Sequence, residues 1–374
     1  MPAGVYLHIP FCKSRCSYCD FATDVYRDSR AVERYVDALC REINAFSPRI
    51  HKDEADTVYL GGGTPSLLTP GQAARILSAV KASFDIAADA EITMEMNPAT
   101  VSPETLDAYR RLGINRASFG VQTFNDRDLK LLARGHDAND ARQTFRLLRE
   151  AGFSNVSFDL IAGLPGHTLA DWSGNLDEAV AMGPEHLSLY LLEIHEATPL
   201  AEQIRAGRRP MPDEELAAEM YEMMIDRLAD AGYEQYEISN FARPGFESRH
   251  NTKYWRLDPV YGFGVSAHSF DGRERYANER DTARYVERIE ELSGAENHRE
   301  KTTVASEFIF LGLRLVKGID LDEYEQRFGR SLIEQYSSEV ERLRETELVE
   351  LSTARLKLTR KGMLFSNTVF AEFV

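Results

Sequence analysis

Six short apolar runs between residues 5 and 194 set the strongest constraint on the fold. They are VYLHI (5–9), DTVYLGGG (56–63), EITMEMN (91–97), RASFGVQ (116–122), VSFDLIAGLP (156–165) and HLSLYLLEI (186–194). Amphipathic stretches separate them, and a strand that alternates with a helix is the pattern of βα units in a parallel sheet. The stretch AVERYVDALCREINAF places Val32, Val36, Leu39 and Ile43 on one helical face. In SPETLDAYRRLG, Ser102, Pro103 and Glu104 form a helix start and Gly113 a stop. All six strand ends then face one edge, where chemistry collects in barrels of this kind, open or closed.

After about residue 210 the alternation ends. A helix, PDEELAAEMYEMMIDRLADAGY, leads into a Gly-, Asn- and aromatic-rich stretch, 235–280, that reads as irregular and is too long for a plain connection. Helices follow in VASEFIFLGLRL, LDEYEQRFG and SLIEQYSSEVERLRE, then two short strands, LVELS and RLKLT, around a turn. This pattern predicts a small winged-helix-like domain.

With 374 residues, 43% of them hydrophobic, the chain can bury a large core. No apolar run approaches the roughly 18 residues of a membrane span, so no transmembrane segment is expected. The opening MPAGVYLHIPFC lacks a basic stretch before an apolar core, so the expected compartment is the cytoplasm. Thiols are kept reduced there, which points a cluster of cysteines to metal or redox chemistry. A net charge of −16 argues against nucleic acid as a partner, and the wing reads as packing or substrate cover. An anionic leaflet would repel such a surface, so peripheral membrane association is expected only through a partner.

Three of the four cysteines, Cys12, Cys16 and Cys19, fall in CKSRCSYC, one loop after the first strand. A [4Fe-4S] cluster takes four thiolates, so three leave one iron open to an outside ligand. A zinc site completed by Cys40 or a histidine, and chance clustering, are the alternatives on the loop alone. Cys40, beside core-facing Leu39, reads as a small buried apolar residue. GGGTP, residues 61–65, is neither a phosphate loop nor a dinucleotide fingerprint, and by itself reads as a turn. Glu95, Gln122 and Asp159 put polar groups at strand ends, which suits ligand contact or simple solvation. In HNTKYW (250–255), His250 could serve as an axial heme ligand with aromatics nearby, although a satisfied histidine among core aromatics is the simpler reading.

CKSRCSYC matches the CxxxCxxC signature of radical S-adenosylmethionine enzymes. Together with VYLHIPFC, it resembles the branch containing oxygen-independent coproporphyrinogen III dehydrogenases and the HemW-type heme chaperones, and the likeness spans nearly the whole chain. It implies an α/β fold: a partial (β/α)6 TIM-type barrel over 1–232, an irregular linking segment with a heme motif over 233–300, and a smaller winged-helix-like α+β domain over 301–374. It further implies a [4Fe-4S] cluster on Cys12, Cys16 and Cys19, with its open iron chelated by the methionyl part of S-adenosylmethionine. Gly62, Gly63 and Thr64 would meet the methionyl amino group, and Gln122, Arg134 and Asp159 the ribose or carboxylate. Ala162, Gly163 and Leu164 would lie by the adenine, Tyr6 beside the sulfonium, and Glu95 in further contact with the cofactor. HNxxYW is the heme motif of the chaperones, so His250, Asn251, Tyr254 and Trp255 are implied to bind heme.

The resemblance implies a chaperone that delivers heme to recipient heme proteins, membrane respiratory enzymes among them, with an electron donor for its cluster. The rival is oxidative decarboxylation of coproporphyrinogen III to protoporphyrinogen IX. Phe21 stands where the dehydrogenases carry a further cysteine, which speaks against that rival. The remaining alternative is a zinc-stabilised interaction protein.

Overall fold

Residues 2–25, 28–46, 53–292, 294–301 and 304–374 are described by the computed structural model. Each of the six apolar runs is a strand: β1 Ala3–Ile9, β2 Glu54–Gly62, β3 Asp85–Met96, β4 Arg116–Gln122, β5 Val156–Ala162 and β6 His186–Leu191. They pair parallel in that order, and helices α1 Ser29–Ala45, α2 Pro70–Ser83, α3 Pro103–Leu112, α4 Ala138–Glu150 and α5 Leu169–Met182 lie in the crossovers. A parallel strand pair needs a crossover, and a helix that buries one face against the sheet supplies it. In α3 the Ser102 hydroxyl and the Thr105 side chain cap the first turn reciprocally, and Gly113 ends the helix in the left-handed region. β3 starts six residues before the apolar run EITMEMN, because Asp85 and Ile86 pair with Glu54 and Ala55 although DIAADA carries little apolar signal.

The barrel is partial because β1 does not meet β6. Its second neighbour is β9, Val260–Phe263, which runs parallel to it with Gly4 opposite Val260 and Leu7 opposite Phe263. The stretch 235–280 is therefore not the irregular connection expected from its composition. It holds β7 Glu234–Glu237, β8 Asn240–Ala242, helix α6 Arg249–Arg256, β9, β10 His268–Phe270 and β11 Glu274–Asn278, and β12 Glu296–Lys301 follows. All of these strands join one 12-stranded sheet, ordered β12-β11-β10-β9-β1-β2-β3-β4-β5-β6-β8-β7. They are only three to six residues long and flank the apolar centre, so little periodicity marks them. Gly262 in β9 faces a close approach: a Cβ there would lie 2.4 Å from the His268 carbonyl oxygen of β10.

Helix α6 closes the lumen of the sheet at the end opposite the cysteine loop. Lys253 Nζ pairs with Asp56 Oδ1 at 2.7 Å and donates to the Pro2 carbonyl. At the start of the helix, the free N–H groups of Arg249 and His250 donate to the Glu91 carboxylate at 3.2 and 3.1 Å, where the helix dipole favours negative charge. The C-terminal unit is a three-stranded antiparallel sheet of Ile319–Asp320, Arg355–Leu358 and Val349–Leu351, packed with short helices.

The end of β1 is fixed by Tyr35 of α1. Its ring is fully buried against Phe11, and its hydroxyl donates to the His8 carbonyl at 2.6 Å and accepts from the Val265 N–H at 3.1 Å. Removing the hydroxyl leaves two buried backbone groups without partners, at about 1–3 kcal/mol. Tyr35→Phe is thus expected to shift urea unfolding to lower denaturant by that amount, and an unchanged midpoint would contradict this role of the hydroxyl.

Candidate functional site

Successive residues of a strand point to opposite faces, so one alternate set from each parallel strand lines the lumen. Here that set is polar: Tyr59 from β2, Glu95 from β3, Arg116 and Ser118 from β4, Asp159 from β5, and Ser188 from β6. These residues line a cavity of about 740 Å³ whose mouth carries Cys12, Cys16 and Cys19. A smaller hollow by Phe84, Ile86 and Asn115 contains none of the expected site residues.

The cysteine loop is held from two sides. Ser17 donates its N–H to Leu132 O and its hydroxyl to Leu131 O, and its carbonyl accepts from Leu200 N. The three free, half-buried sulfurs face a short polar relay. Thr64 Oγ1 donates to Cys12 Sγ at 3.6 Å, Asn97 Nδ2 donates to Thr64 Oγ1 at 2.7 Å, and Arg134 Nη2 donates to Asn97 Oδ1 at 2.9 Å. Arg134 Nη1 then reaches Cys16 Sγ at 3.4 Å, so a cation and a hydroxyl both serve the sulfurs.

Burial pushes the Cys12 thiol up to about 11, against the Thr64 hydrogen bond, and raises that of Cys19. A site that disfavours a bare thiolate favours one whose charge is neutralised by bound iron. Among the described residues no group of three or more His, Cys, Asp or Glu side chains could hold a single metal ion. A zinc site gathers its ligands on one ion, whereas in an iron–sulfur cluster each cysteine binds its own iron. The donor set suits a [4Fe-4S] cluster, which Cys12, Cys16 and Cys19 would hold and which would supply single electrons to a substrate bound beside it.

The glycine loop is shaped by β1. Gly62 has φ 109°, and a Cβ there would meet the His8 ring at 2.7 Å, so the backbone must be bare. Its N–H donates to Glu95 Oε2 at 3.0 Å, while Tyr59 donates its hydroxyl to Glu95 Oε1 at 2.8 Å. Burial raises Glu95 to about 7 despite the Tyr59 bond, and raises Asp159 to about 6 against a hydrogen bond from Ser188. Gln122, at φ 67°, occupies a left-handed backbone rare outside glycine, of the kind that collects at functional sites.

Of the expected cofactor residues, Gly62, Gly63, Glu95, Gln122, Arg134 and Asp159 line the cavity, and Thr64 bonds to Cys12. Tyr6, Ala162, Gly163 and Leu164 do not form its wall. The Tyr6 hydroxyl bonds to His8 Nδ1 at 3.0 Å, and Gly163 donates its N–H to Met220 Sδ. Of the heme motif, only Asn251 lines the cavity. His250 is 1% exposed and stacks on Tyr59 with ring centres 5.1 Å apart. Its Nδ1 bonds to Thr57 Oγ1 at 2.9 Å and its Nε2 to the Tyr254 hydroxyl at 3.2 Å. Burial, aided by the charges of Lys253 and Arg116, lowers His250 to about 3, so it is neutral at pH 7. Trp255 carries the Arg314 guanidinium over its ring at 4.3 Å.

Tyr59, Asn97, Arg116 and Arg314, all on the wall, were not singled out from sequence, and neither were Met363, Leu364, Ser366 and Asn367 of the C-terminal unit. The alternation of polar residues in RASFGVQ and HLSLYLLEI was the available signal for the strand positions. Nothing local marks the C-terminal ones.

Glu95 and Asp159 take up protons at higher pH in the folded chain than in the unfolded one. At these two sites the folded chain holds protons that the unfolded chain releases, and the pair's own contribution to stability falls as pH rises from about 4 to about 7. In ligand-free protein, Glu95→Gln combined with Asp159→Asn is expected to flatten this slope in a denaturation series across that range. A slope unchanged by the double variant would contradict the assignment.

Family profiles match the chain twice, as "Radical SAM superfamily" over residues 6–179 and as "HemN C-terminal domain" over 300–365. "Heme chaperone HemW" of Bacillus subtilis is 35% identical, with 99% of each chain covered. The protein of that name from Lactococcus lactis is 34% identical over 100% of this chain and 97% of its own length. Among solved structures, coproporphyrinogen III oxidase (HemN) from Escherichia coli, described as a radical SAM enzyme, superposes with a TM-score of 0.88 at 26% identity, covering 100% of this chain and 90% of that one. With a polar lumen under a three-cysteine loop and relatives matched along the full length, this chain belongs to the HemW family of the radical S-adenosylmethionine superfamily.

Proposed function

We propose that the protein is a heme chaperone, which binds heme, a [4Fe-4S] cluster and S-adenosylmethionine and delivers heme to recipient heme proteins, respiratory enzymes among them. The observation that carries this reading is the continuity between the two ends of the lumen. His250 stacks on Tyr59, Tyr59 bonds to Glu95, and Glu95 holds Gly62 in the loop beside the cysteines. A group bound at HNTKYW and a cofactor bound at the cysteine loop would thus contact one bonded set of side chains. The names of the relatives support heme as the cargo.

In this reading Cys12, Cys16 and Cys19 hold the cluster, with an electron donor as a further partner. Gly62, Gly63, Thr64, Glu95, Gln122, Arg134 and Asp159 receive S-adenosylmethionine, with Tyr6 toward its sulfonium and Ala162 to Leu164 toward its adenine. His250, Asn251, Tyr254 and Trp255 form the heme end. Ligation of iron by His250 requires one ring nitrogen to leave its present partner, Thr57 or Tyr254. No helix of the described residues is long and apolar enough to cross a membrane, so delivery to a membrane enzyme would proceed by docking.

The whole-chain likeness to HemN favours one other reading, the oxidative decarboxylation of coproporphyrinogen III. Phe21 argues against it: it stands in place of the dehydrogenase cysteine, exposed at the cavity mouth.

Anaerobically reconstituted protein is expected to retain heme through gel filtration and to pass it to an apo heme protein. His250→Ala is expected to weaken binding about tenfold, equivalent to about 1.4 kcal/mol. Failure of the wild type to retain heme, or formation of protoporphyrinogen IX from coproporphyrinogen III under reducing conditions, would contradict the chaperone reading.

A further inference from the structure

Arg116 opens β4 and is 1% exposed, one of the largest fully buried side chains in the molecule. Its Nε has no hydrogen-bond partner, and no ion pair to it occurs among the described residues, yet it lines the cavity. A buried guanidinium is costly unless its charge is met, and five donors in a rigid fork are made for an oxyanion. The nearby carboxylates feel the Arg116 charge, which lowers both Glu95 and Asp159, but their hydrogen bonds go elsewhere: Glu95 to the Tyr59 hydroxyl and the Gly62 N–H, Asp159 to Ser188.

Arg314 repeats the pattern from a different part of the chain. It lines the same cavity, its Nε is also buried without a partner, and its guanidinium is steadied by the Trp255 ring and by Glu237 at 3.5 Å. Arg134 also keeps a buried Nε without a partner, but both of its terminal nitrogens are spent on Cys16, Asn97 and the Gly120 carbonyl. The register separates Arg116 from the cysteine end. It pairs with Thr93, which lies opposite Tyr59, whereas Glu95 and Ser118 lie one step nearer the loop. A carboxylate chelated at the cluster would belong with Arg134, so Arg116 is left to a second anionic group deeper in the lumen.

We infer that Arg116 and Arg314 form a carboxylate-recognition subsite in the lumen, which takes the propionate side chains of the tetrapyrrole. The inference rests on the heme reading above and adds to it the groups that grip the ligand. Heme carries two propionates, and the lumen presents two guanidiniums with donors to spare, Arg116 without an ion-pair partner and Arg314 with its Nε open beside the Nη2 bond to Glu237. Each fork can take one carboxylate through paired N–H···O bonds. Trp255 acts on the ligand through Arg314, as a positioning residue.

The test compares heme with its dimethyl ester, in which both carboxylates are blocked, on the full-length protein reconstituted without oxygen. The wild type is expected to bind heme at least tenfold more tightly than the ester. Arg116→Gln is expected to lower heme affinity about tenfold and leave ester affinity unchanged, so that discrimination disappears. Arg314→Gln, at a more exposed position, gives the same readout should the first variant fold poorly. Equal binding of heme and ester by the wild type, or variants that weaken both ligands alike, would overturn the subsite while the chaperone reading stands. A wild type that retains neither ligand despite full iron and sulfide content would overturn the heme reading and the subsite with it.

Discussion

The carboxylate of Glu95 sits inside a partial barrel, with one oxygen bonded to the Tyr59 hydroxyl and the other to the Gly62 N–H. A buried carboxylate is tolerated only where such donors meet it, and here they come from the neighbouring strand and from the loop that follows it. Much of the site depends on this arrangement. It pins the glycine loop, the loop presents Thr64 to Cys12, and Tyr59 is left as a flat surface on which His250 stacks. The lumen is a polar network rather than an oily core, and a network of this kind holds its members in one arrangement only while each is satisfied.

The unsatisfied members are accordingly informative. Arg116, Arg134 and Arg314 each keep a buried Nε without a partner, and while Arg134 and Arg314 bond through their terminal nitrogens, no ion pair to Arg116 occurs among the described residues. His250 is the converse case. It is neutral, as a metal-ligating imidazole must be, yet both of its nitrogens are engaged. On the heme reading proposed above, the floor helix would hold His250 in reserve behind the Tyr254 hydroxyl, and Asn251 is the one member of its motif that reaches the cavity wall.

How much of this was legible in the sequence follows from the range of the interactions. The six central strands could be read because strands buried on both faces must be apolar runs, and the helices between them because each buries a single stripe. The cysteine triad and GGGTP were legible as local motifs. The strands of 235–280 were not, since short flanking strands carry no long apolar run. β9 is parallel to β1 only because residues more than 250 positions apart in sequence meet in register. Tyr59, Arg116 and Arg314 escaped notice for the same reason, because a wall residue is recognised only once the register places it beside its neighbours. The HNTKYW helix was legible as a motif but not as a plug, because its anchors Asp56 and Glu91 lie on distant strands.

The account depends on a cluster held by three protein thiolates, with one iron left for S-adenosylmethionine. Electron paramagnetic resonance of the reduced, anaerobically reconstituted protein tests this most directly, using cofactor labelled with nitrogen-15 and oxygen-17 in its methionyl amino and carboxylate groups. The account predicts a [4Fe-4S] signal that shifts when the cofactor is added and shows hyperfine coupling to both labels. A preparation with zinc and no cluster, or a cluster whose signal is indifferent to the cofactor and uncoupled from the labels, would contradict it.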